Sequence, residues 1–237
     1  MRKEKIMADR PAILLVHGAW HSSACWDKVR AVLEGRGRMV RAVDLPTVHA
    51  ANKASLGMYD DARAVRAAIE AIGEPVVVVG HSYGGVPTTQ GAAGAANVVH
   101  IVYISAFALD KGESLLAGTG GEPPSWWNVR GDLATAGVPG ERPEQLFYND
   151  LADDEARAAA AQLEAQAVQA YRDPVTEVAW RAAPSTYLVT LRDAVFPVEA
   201  QEGLAARAGS TLVRIDAGHS PFLSRPEETA DVIDLAG

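Results

Sequence analysis

Apolar positions in this chain gather into short, nearly unbroken runs, and the stretches between them have helical spacing. Residues 13–16, 39–43, 75–79, 98–104, 186–191 and 211–215 are runs of this kind, rich in β-branched residues. They lack the strict alternation of a half-exposed strand, so they predict strands buried on both faces, as in a parallel sheet. Between the first two, Trp26, Val29 and Leu33 recur on one helical face, and Gly35 and Gly37 end the helix. Asp60 and Asp61 stand where a helix is capped, Val65, Ile69 and Ile72 share its apolar face, and Gly73 closes it. An alanine- and glycine-rich stretch follows residue 84, and residues 226–235 predict a short final helix.

Strands alternating with helices predict βαβ units and one mostly parallel central sheet flanked by helices. The alternation breaks over residues 112–183. The first part of that stretch is rich in Gly and Pro and holds Trp126 and Trp127. The second, 150–172, is rich in Ala, Glu and Gln and reads as helix. No strand-like run is visible there. The expectation is an inserted helical cap over the carboxyl edge of the sheet, where open α/β sheets bind ligands. The chain then divides into a frayed leader over 1–10, a core formed by 11–111 and 184–237, and the cap over 112–183.

Ser82 lies in Gly80-His81-Ser82-Tyr83-Gly84, directly after a buried run and directly before helical sequence. The pattern G-x-S-x-G alone is weak; the strand–turn–helix context makes it a nucleophile elbow. A bend this sharp strains the serine, and glycines at either side let neighbouring backbone approach. Acyl transfer also needs N–H donors aimed at a developing oxyanion. The backbone amide of Tyr83 is one candidate. Ala19, in the loop His17-Gly18-Ala19-Trp20 after the first strand, supplies the other, and His17 itself reads as a residue that pins this loop.

A serine hydroxyl needs a base. Of the six histidines, His81 adjoins the serine and should point away, His100 lies within a strand, His49 is in a polar loop and His21 borders the pocket. His219 follows the last strand, at the same sheet edge as Ser82, and completes the order nucleophile, acid, histidine. Asp193, after the strand at 186–191, is the expected acid. Asp110 is its rival, Asp44 precedes the elbow, and Asp216 is too near His219 along the chain. Trp20, His21, Phe107, Trp126, Trp127, Phe196 and Phe222 are candidates for an apolar substrate pocket, with core packing the competing role for each.

Three segments, His17-Gly-Ala-Trp-His-Ser-Ser-Ala-Cys-Trp26, Gly80-His-Ser-Tyr-Gly-Gly85 and Val102-Tyr-Ile-Ser-Ala-Phe107, resemble the esterase and hydroxynitrile lyase branch of the α/β-hydrolase superfamily, which includes plant methyl-ester esterases and bacterial relatives. The resemblance spans the sheet from Ile13 onward and is weak across the cap. It implies an α/β-hydrolase fold with Ser82, Asp193 and His219 as triad and Ala19 and Tyr83 as oxyanion donors. Lyases of the branch carry threonine at the position of Gly18 and lysine after the histidine, where this chain has Ser220, and that difference implies hydrolysis of an ester. Carbon–carbon cleavage on the same triad and a ligand receptor with this fold are the other readings. Tyr83 is a departure, since the plant esterases often carry a smaller or aliphatic residue there.

The 237 residues suit one domain with an insertion, and their formal charge of −8 disfavours nucleic acid and anionic membrane as partners. A small neutral or apolar ester fits that balance; the oligomeric state stays open, a homodimer included. Cys25 is the only cysteine, so no intrachain disulfide forms. The basic N-terminus has no apolar run behind it, which together with the lone cysteine implies a cytoplasmic protein. No ligand spacing for a metal is evident, and neither a P-loop nor a G-x-G-x-x-G after a strand, so no metal or cofactor is expected.

Overall fold

Six strands form one parallel sheet in the order β2-β1-β3-β4-β8-β9. They are β1 (Ala12–Val16), β2 (Val40–Val43), β3 (Val76–His81), β4 (Val98–Ile104), β8 (Ser185–Thr190) and β9 (Thr211–Ile215). All five pairings are parallel. The computed structural model describes residues 10–237; the leader expected over 1–10 lies, but for Arg10, outside the described residues.

The unbroken apolar runs have a plain cause. In β1, Leu14 and Val16 face one hydrophobic cluster while Ile13 and Leu15 face another, and in β3 Val76 and Val78 part from Val77 and Val79 in the same way. Successive side chains in a strand point to opposite faces, and here both faces are covered. α1 (Asp27–Gly35), through Val29 and Leu33, and the final helix, through Ala230 and Ile233, cover one face. After α2 (Pro46–His49), α3 (Met58–Ile72) covers the other with Met58, Val65 and Ile69. α4 (Gly85–Gly91) follows the bend at the end of β3 and packs against α3.

The start of α3 departs from expectation. Asp60 accepts the Gly57 amide at 2.9 Å and so caps the helix start. Asp61 makes no cap; it turns inward and is fully buried. Adjacent residues on a helix point about 100° apart around its axis, so with Asp60 on the side of the Gly57 amide, Asp61 is carried round to the side that packs on Thr47 and Tyr83.

Between β4 and β8 the chain forms a second, three-stranded antiparallel sheet: β5 (Trp127–Arg130), β6 (Leu133–Ala136) and β7 (Gln166–Ala167). The same stretch carries α5 (Pro143–Phe147) and α6 (Asp153–Ala160), which pack on each other, and α7 (Gln169–Arg172), which packs on β7. The helical cap expected over 112–183 is therefore mixed, and the helix expected over 150–172 is two short helices parted by β7. The hairpin turn places Gly131 at φ 62°, which suits glycine. Strands of four and two residues with polar members offer no apolar run to read, and β7 is held by bonding more than by apolar burial. Beyond the cap, α8 (Val198–Ala208) leads into β9, and α9 (Pro221–Ser224) and α10 (Pro226–Asp234) end the chain.

The α3–α4 contact depends on Gly91, where a Cβ would lie 2.6 Å from the Ala62 carbonyl oxygen and 3.2 Å from the Val65 Cβ. Backbone cannot yield as a side-chain tip can. Gly91→Ala is expected to lower the unfolding free energy by about 1–3 kcal/mol, measured by urea denaturation.

Candidate active site

β3 ends at His81, and the chain bends through a 3-10 turn, Ser82–Gly84, into α4. Ser82 sits at φ 49°, in the left-handed region, a conformation that costs a non-glycine residue about 1–3 kcal/mol. Close packing enforces it. A Cβ on Gly84 would lie 2.4 Å from the His17 carbonyl oxygen and 2.7 Å from that of Val16. A Cβ on Gly18 would lie 2.6 Å from His81 Nδ1 and 3.1 Å from the Ser82 Cβ. The bend thus rests directly on the end of β1 and its loop.

His219 reaches the same place from beyond β9. His81 Nε2 donates to the His219 carbonyl at 2.9 Å, and the two rings lie 4.8 Å apart. His81, next to Ser82, therefore turns toward His219 rather than away from the site. His219 Nδ1 donates to Asp193 Oδ2 at 2.7 Å, with both side chains almost wholly buried. The same carboxylate accepts from Thr190 Oγ1 at 2.9 Å and, on Oδ1, from the amides of Val195 at 2.8 Å and Phe196 at 2.9 Å. Burial would raise the Asp193 carboxyl, but His219 and these amides outweigh it and hold it below the ordinary range. With Nδ1 engaged, Nε2 is the nitrogen of His219 that remains for proton transfer.

The rival carboxylates have other partners. Asp110 pairs with Arg181 at 2.5 Å, Asp44 accepts the Ser23 amide at 2.7 Å, and Asp216 pairs with Arg192 at 2.9 Å. His17 donates from Nδ1 to the Gly18 carbonyl at 2.8 Å and accepts the Leu45 amide on Nε2 at 3.0 Å, so it does pin its loop. His100 contacts Thr186 Oγ1 at 3.0 Å. Ligand atoms of His17, Asp44 and His49 lie within 4.8 Å of one another, but both His17 nitrogens are already committed, which leaves that cluster short of a ligand.

Of the two candidate oxyanion amides, that of Tyr83 lies in the turn directly after Ser82. That of Ala19 donates to no other backbone group among the described residues. Trp20, next to it, has φ 64° and is held from the cap: its amide donates to Gln166 Oε1 at 2.9 Å and its indole to the Ala134 carbonyl at 3.0 Å. Trp126, Trp127, Phe147 and Tyr171 surround the Trp20 ring, with centroids between 5.0 and 5.9 Å away. His21 donates to the Ala19 carbonyl at 2.7 Å and accepts from Tyr148 at 2.9 Å. Phe222 is fully buried against Trp26 and His81 in the core. Phe107 and Phe196 stack at 4.4 Å and line a cleft of about 640 Å³ with Leu109, Val195 and Leu204. So the seven pocket candidates separate into a cleft pair, a cap cluster and a core residue.

Two cap residues that sequence reasoning passed over grip the loops of the histidine and its acid. Asn149 Nδ2 donates to the Arg192 carbonyl at 2.9 Å, one residue before Asp193. Asp150 Oδ2 accepts the Gly218 amide at 2.7 Å, one residue before His219. No local signal marks them, because both partners are backbone groups distant in sequence.

A parallel sheet, a strained serine at its carboxyl edge and a buried histidine–aspartate pair beside it define a hydrolase-type α/β protein. The chain belongs to the alpha/beta hydrolase family, whose profile matches residues 13–232. It is 32% identical to the probable hydrolase R7 of Phoma sp., over 96% of this chain and 99% of that protein. It is 26% identical to the pyrethroid hydrolase of Sphingobium wenxiniae, over 93% and 85% of the two chains. Its fold also matches the crystal structure of a methylesterase from Arabidopsis with a TM-score of 0.79, at 21% identity over 94% of this chain and 97% of that one. Among the described residues no helix is long and apolar enough to cross a membrane.

Burial pushes His17 down to about 3 and His21 to about 4, and takes His81 well below its ordinary value. The unfolded chain binds protons at these positions near pH 6.5 while the folded chain stays neutral, so stability is lost as pH falls below that value. Asp61, pushed up by burial to about 6, acts in the opposite sense and gains stability over the same descent. For these four groups together, the unfolding free energy is expected to fall by about 2–3 kcal/mol between pH 6 and pH 5, measured by urea melts at the two values.

Proposed function

We propose that the chain hydrolyses a carboxylic ester of a small, uncharged and largely apolar substrate through an acyl-enzyme on Ser82. The observation that carries this is the buried 2.7 Å bond from His219 to Asp193, held against the residue preceding Ser82. As the Ser82 hydroxyl attacks the carbonyl carbon, its proton passes to His219 Nε2, and Asp193 orients the ring and stabilises its charged form. The amides of Tyr83 and Ala19 receive the oxyanion, each worth about 3 kcal/mol in the transition state. The intermediate expels the alcohol, which takes the proton from His219. Water then repeats the attack, frees the acid and returns the hydroxyl to Ser82.

The cleft beside Phe107 and Phe196 supports the substrate class. Its lining is mainly apolar, and its two charges, Glu113 and Arg207, pair with each other at 2.6 Å. Its walls are the same backbone that holds the site: the Phe107 amide donates to the Ser82 carbonyl at 3.1 Å, and those of Val195 and Phe196 bind Asp193. The pyrethroid hydrolase among its relatives supports ester cleavage as the reaction class. Ser220, buried beside His219, offers no cation to a departing cyanide.

Wild-type protein is expected to hydrolyse p-nitrophenyl esters and to be labelled by a fluorophosphonate at Ser82. Ser82→Ala should lose at least about 10³-fold in kcat and all labelling. Cyanohydrin cleavage without ester turnover would instead mark a carbon–carbon lyase, and absence of both turnover and labelling would mark a binding protein. Phe196→Ala should raise KM for aryl esters by roughly 5–30-fold, through lost aromatic contact, with a smaller change in kcat.

A further inference from the structure

Behind the bend lies a buried carboxylate that the proposed mechanism does not use. Asp61, on α3, is fully buried and has no cationic partner among the described residues. It accepts three hydrogen bonds: from the Thr47 amide at 2.9 Å, the Thr47 hydroxyl at 2.6 Å and the Tyr83 hydroxyl at 2.6 Å. Thr47 Oγ1 in turn accepts from Gln166 Nε2 at 2.9 Å. Gln166 Oε1 accepts from the Trp20 amide at 2.9 Å and the Tyr171 hydroxyl at 2.7 Å. The chain of bonds joins α3 to five other parts of the fold: the turn after Ser82, the loop after β1, α2, strand β7 and α7 of the cap.

Its direction is forced. A backbone N–H can only donate, so Trp20 requires the oxygen of Gln166. The Gln166 nitrogen then faces Thr47, whose hydroxyl accepts it and must donate onward to Asp61. Tyr83 donates to the same oxygen. The carboxylate at the end receives three donors and has none to give, and that assignment holds only while it is ionised.

We infer that Asp61 is a positioning residue that sets both amides of the proposed oxyanion hole, Tyr83 through its side chain and the Ala19–Trp20 segment through Thr47 and Gln166. The inference rests on the ester-hydrolase reading above. Without the chain, Trp20 at φ 64° loses the acceptor of its amide, and the Tyr83 hydroxyl loses the carboxylate that accepts its proton. Burial raises the Asp61 carboxyl to about 6 against the pull of Thr47 and Tyr83, so the chain of bonds fails in the same range where it takes up a proton. The titratable groups that face it are Asp60 on its own helix, Tyr83 beyond β3 and Tyr171 from the cap. His49, on the helix of Thr47, turns its ring to the His21 carbonyl, Asp44 and Glu164 instead.

Asp61→Asn keeps the shape but disrupts two bonds: the Thr47 amide requires oxygen at Oδ1, so the side-chain nitrogen, which only donates, takes the place of Oδ2, where the Thr47 and Tyr83 hydroxyls both donated. With p-nitrophenyl butyrate it is expected to lower kcat tenfold or more, to leave KM within about twofold and to leave the melting temperature unchanged or raised, because a costly buried charge is gone. The acid limb of the wild-type kcat profile should show two ionisations and that of the variant one. Tyr83→Phe and Gln166→Met, which each cut one branch, should lower kcat about three- to tenfold at unchanged KM, and they decide the matter if Asp61→Asn does not fold. Wild-type kcat and an unaltered acid limb in Asp61→Asn, or wild-type kcat in both branch variants, would overturn the inference alone. Absence of Ser82-dependent ester turnover in the wild type would overturn the ester-hydrolase reading, and this inference with it.

Discussion

The groups gathered at the carboxyl edge of the sheet are held almost entirely out of water. Ser82 is 9% exposed and His219 1%. A polar group in such a place costs about 1–3 kcal/mol if it lacks a partner, so the protein must supply what solvent would have supplied. That requirement is met at both ring nitrogens of His17 and His21 and at one of His81, whose Nδ1 is buried without a partner among the described residues. His17 and His21 each donate from Nδ1 to a neighbouring carbonyl and accept on Nε2, and His81 donates from Nε2 to His219. Only in His219, of these four, does a ring proton meet a carboxylate. Neutral neighbours also matter electrostatically, since burial keeps His17, His21 and His81 uncharged. No second imidazolium then competes with the one that would form on His219.

The sheet, the bend and the place of His219 at the sheet edge were legible because each leaves a local mark. Runs without alternation mean two covered faces, and the glycines at 80 and 84 stand where backbone approaches the turn. The acid was legible only as a pair of options. Asp193 and Asp110 both follow strands in the right order, and what separates them is long-range: Arg181 takes Asp110, while the Val195 and Phe196 amides and His219 converge on Asp193. The cap sheet was not legible, because strands of two to four residues stabilised by hairpin geometry and a buried glutamine carry no periodic signal. Asp61 was misread for a related reason. Two adjacent carboxylates at a helix start look alike in sequence, and only the packing of α3 on Tyr83 and Thr47 tells the cap from the buried group.

The pocket candidates show the same limit from another side. Aromatic residues near a site announce bulk, not direction. Phe107 and Phe196 line a cleft, Trp20, Trp126 and Trp127 knit the cap onto the loop after β1, and Phe222 fills the core under His81. The distinction depends on which strand end each residue leaves, and on a cap geometry that composition did not reveal.

The inserted segment cannot be treated as a cover laid over a finished site. Its polar side chains bond to Trp20, to Arg192 next to Asp193, to Gly218 next to His219 and, through Tyr148, to His21. Each such bond contributes about 0.5–1.5 kcal/mol net, and more where a carboxylate accepts. Raising the segment as a unit would break all of them together and release the loops that carry the histidine and its acid. Access that keeps the site assembled must therefore avoid those contacts. The cleft along Phe107, Val195 and Phe196 is walled in part by residues 113–119 of the same segment, but Tyr148, Asn149, Asp150 and Gln166, which make those bonds, do not line it, and the amides of Phe107, Val195 and Phe196 hold the Ser82 carbonyl and Asp193. An apolar group can settle there while the bonds from the cap stay intact.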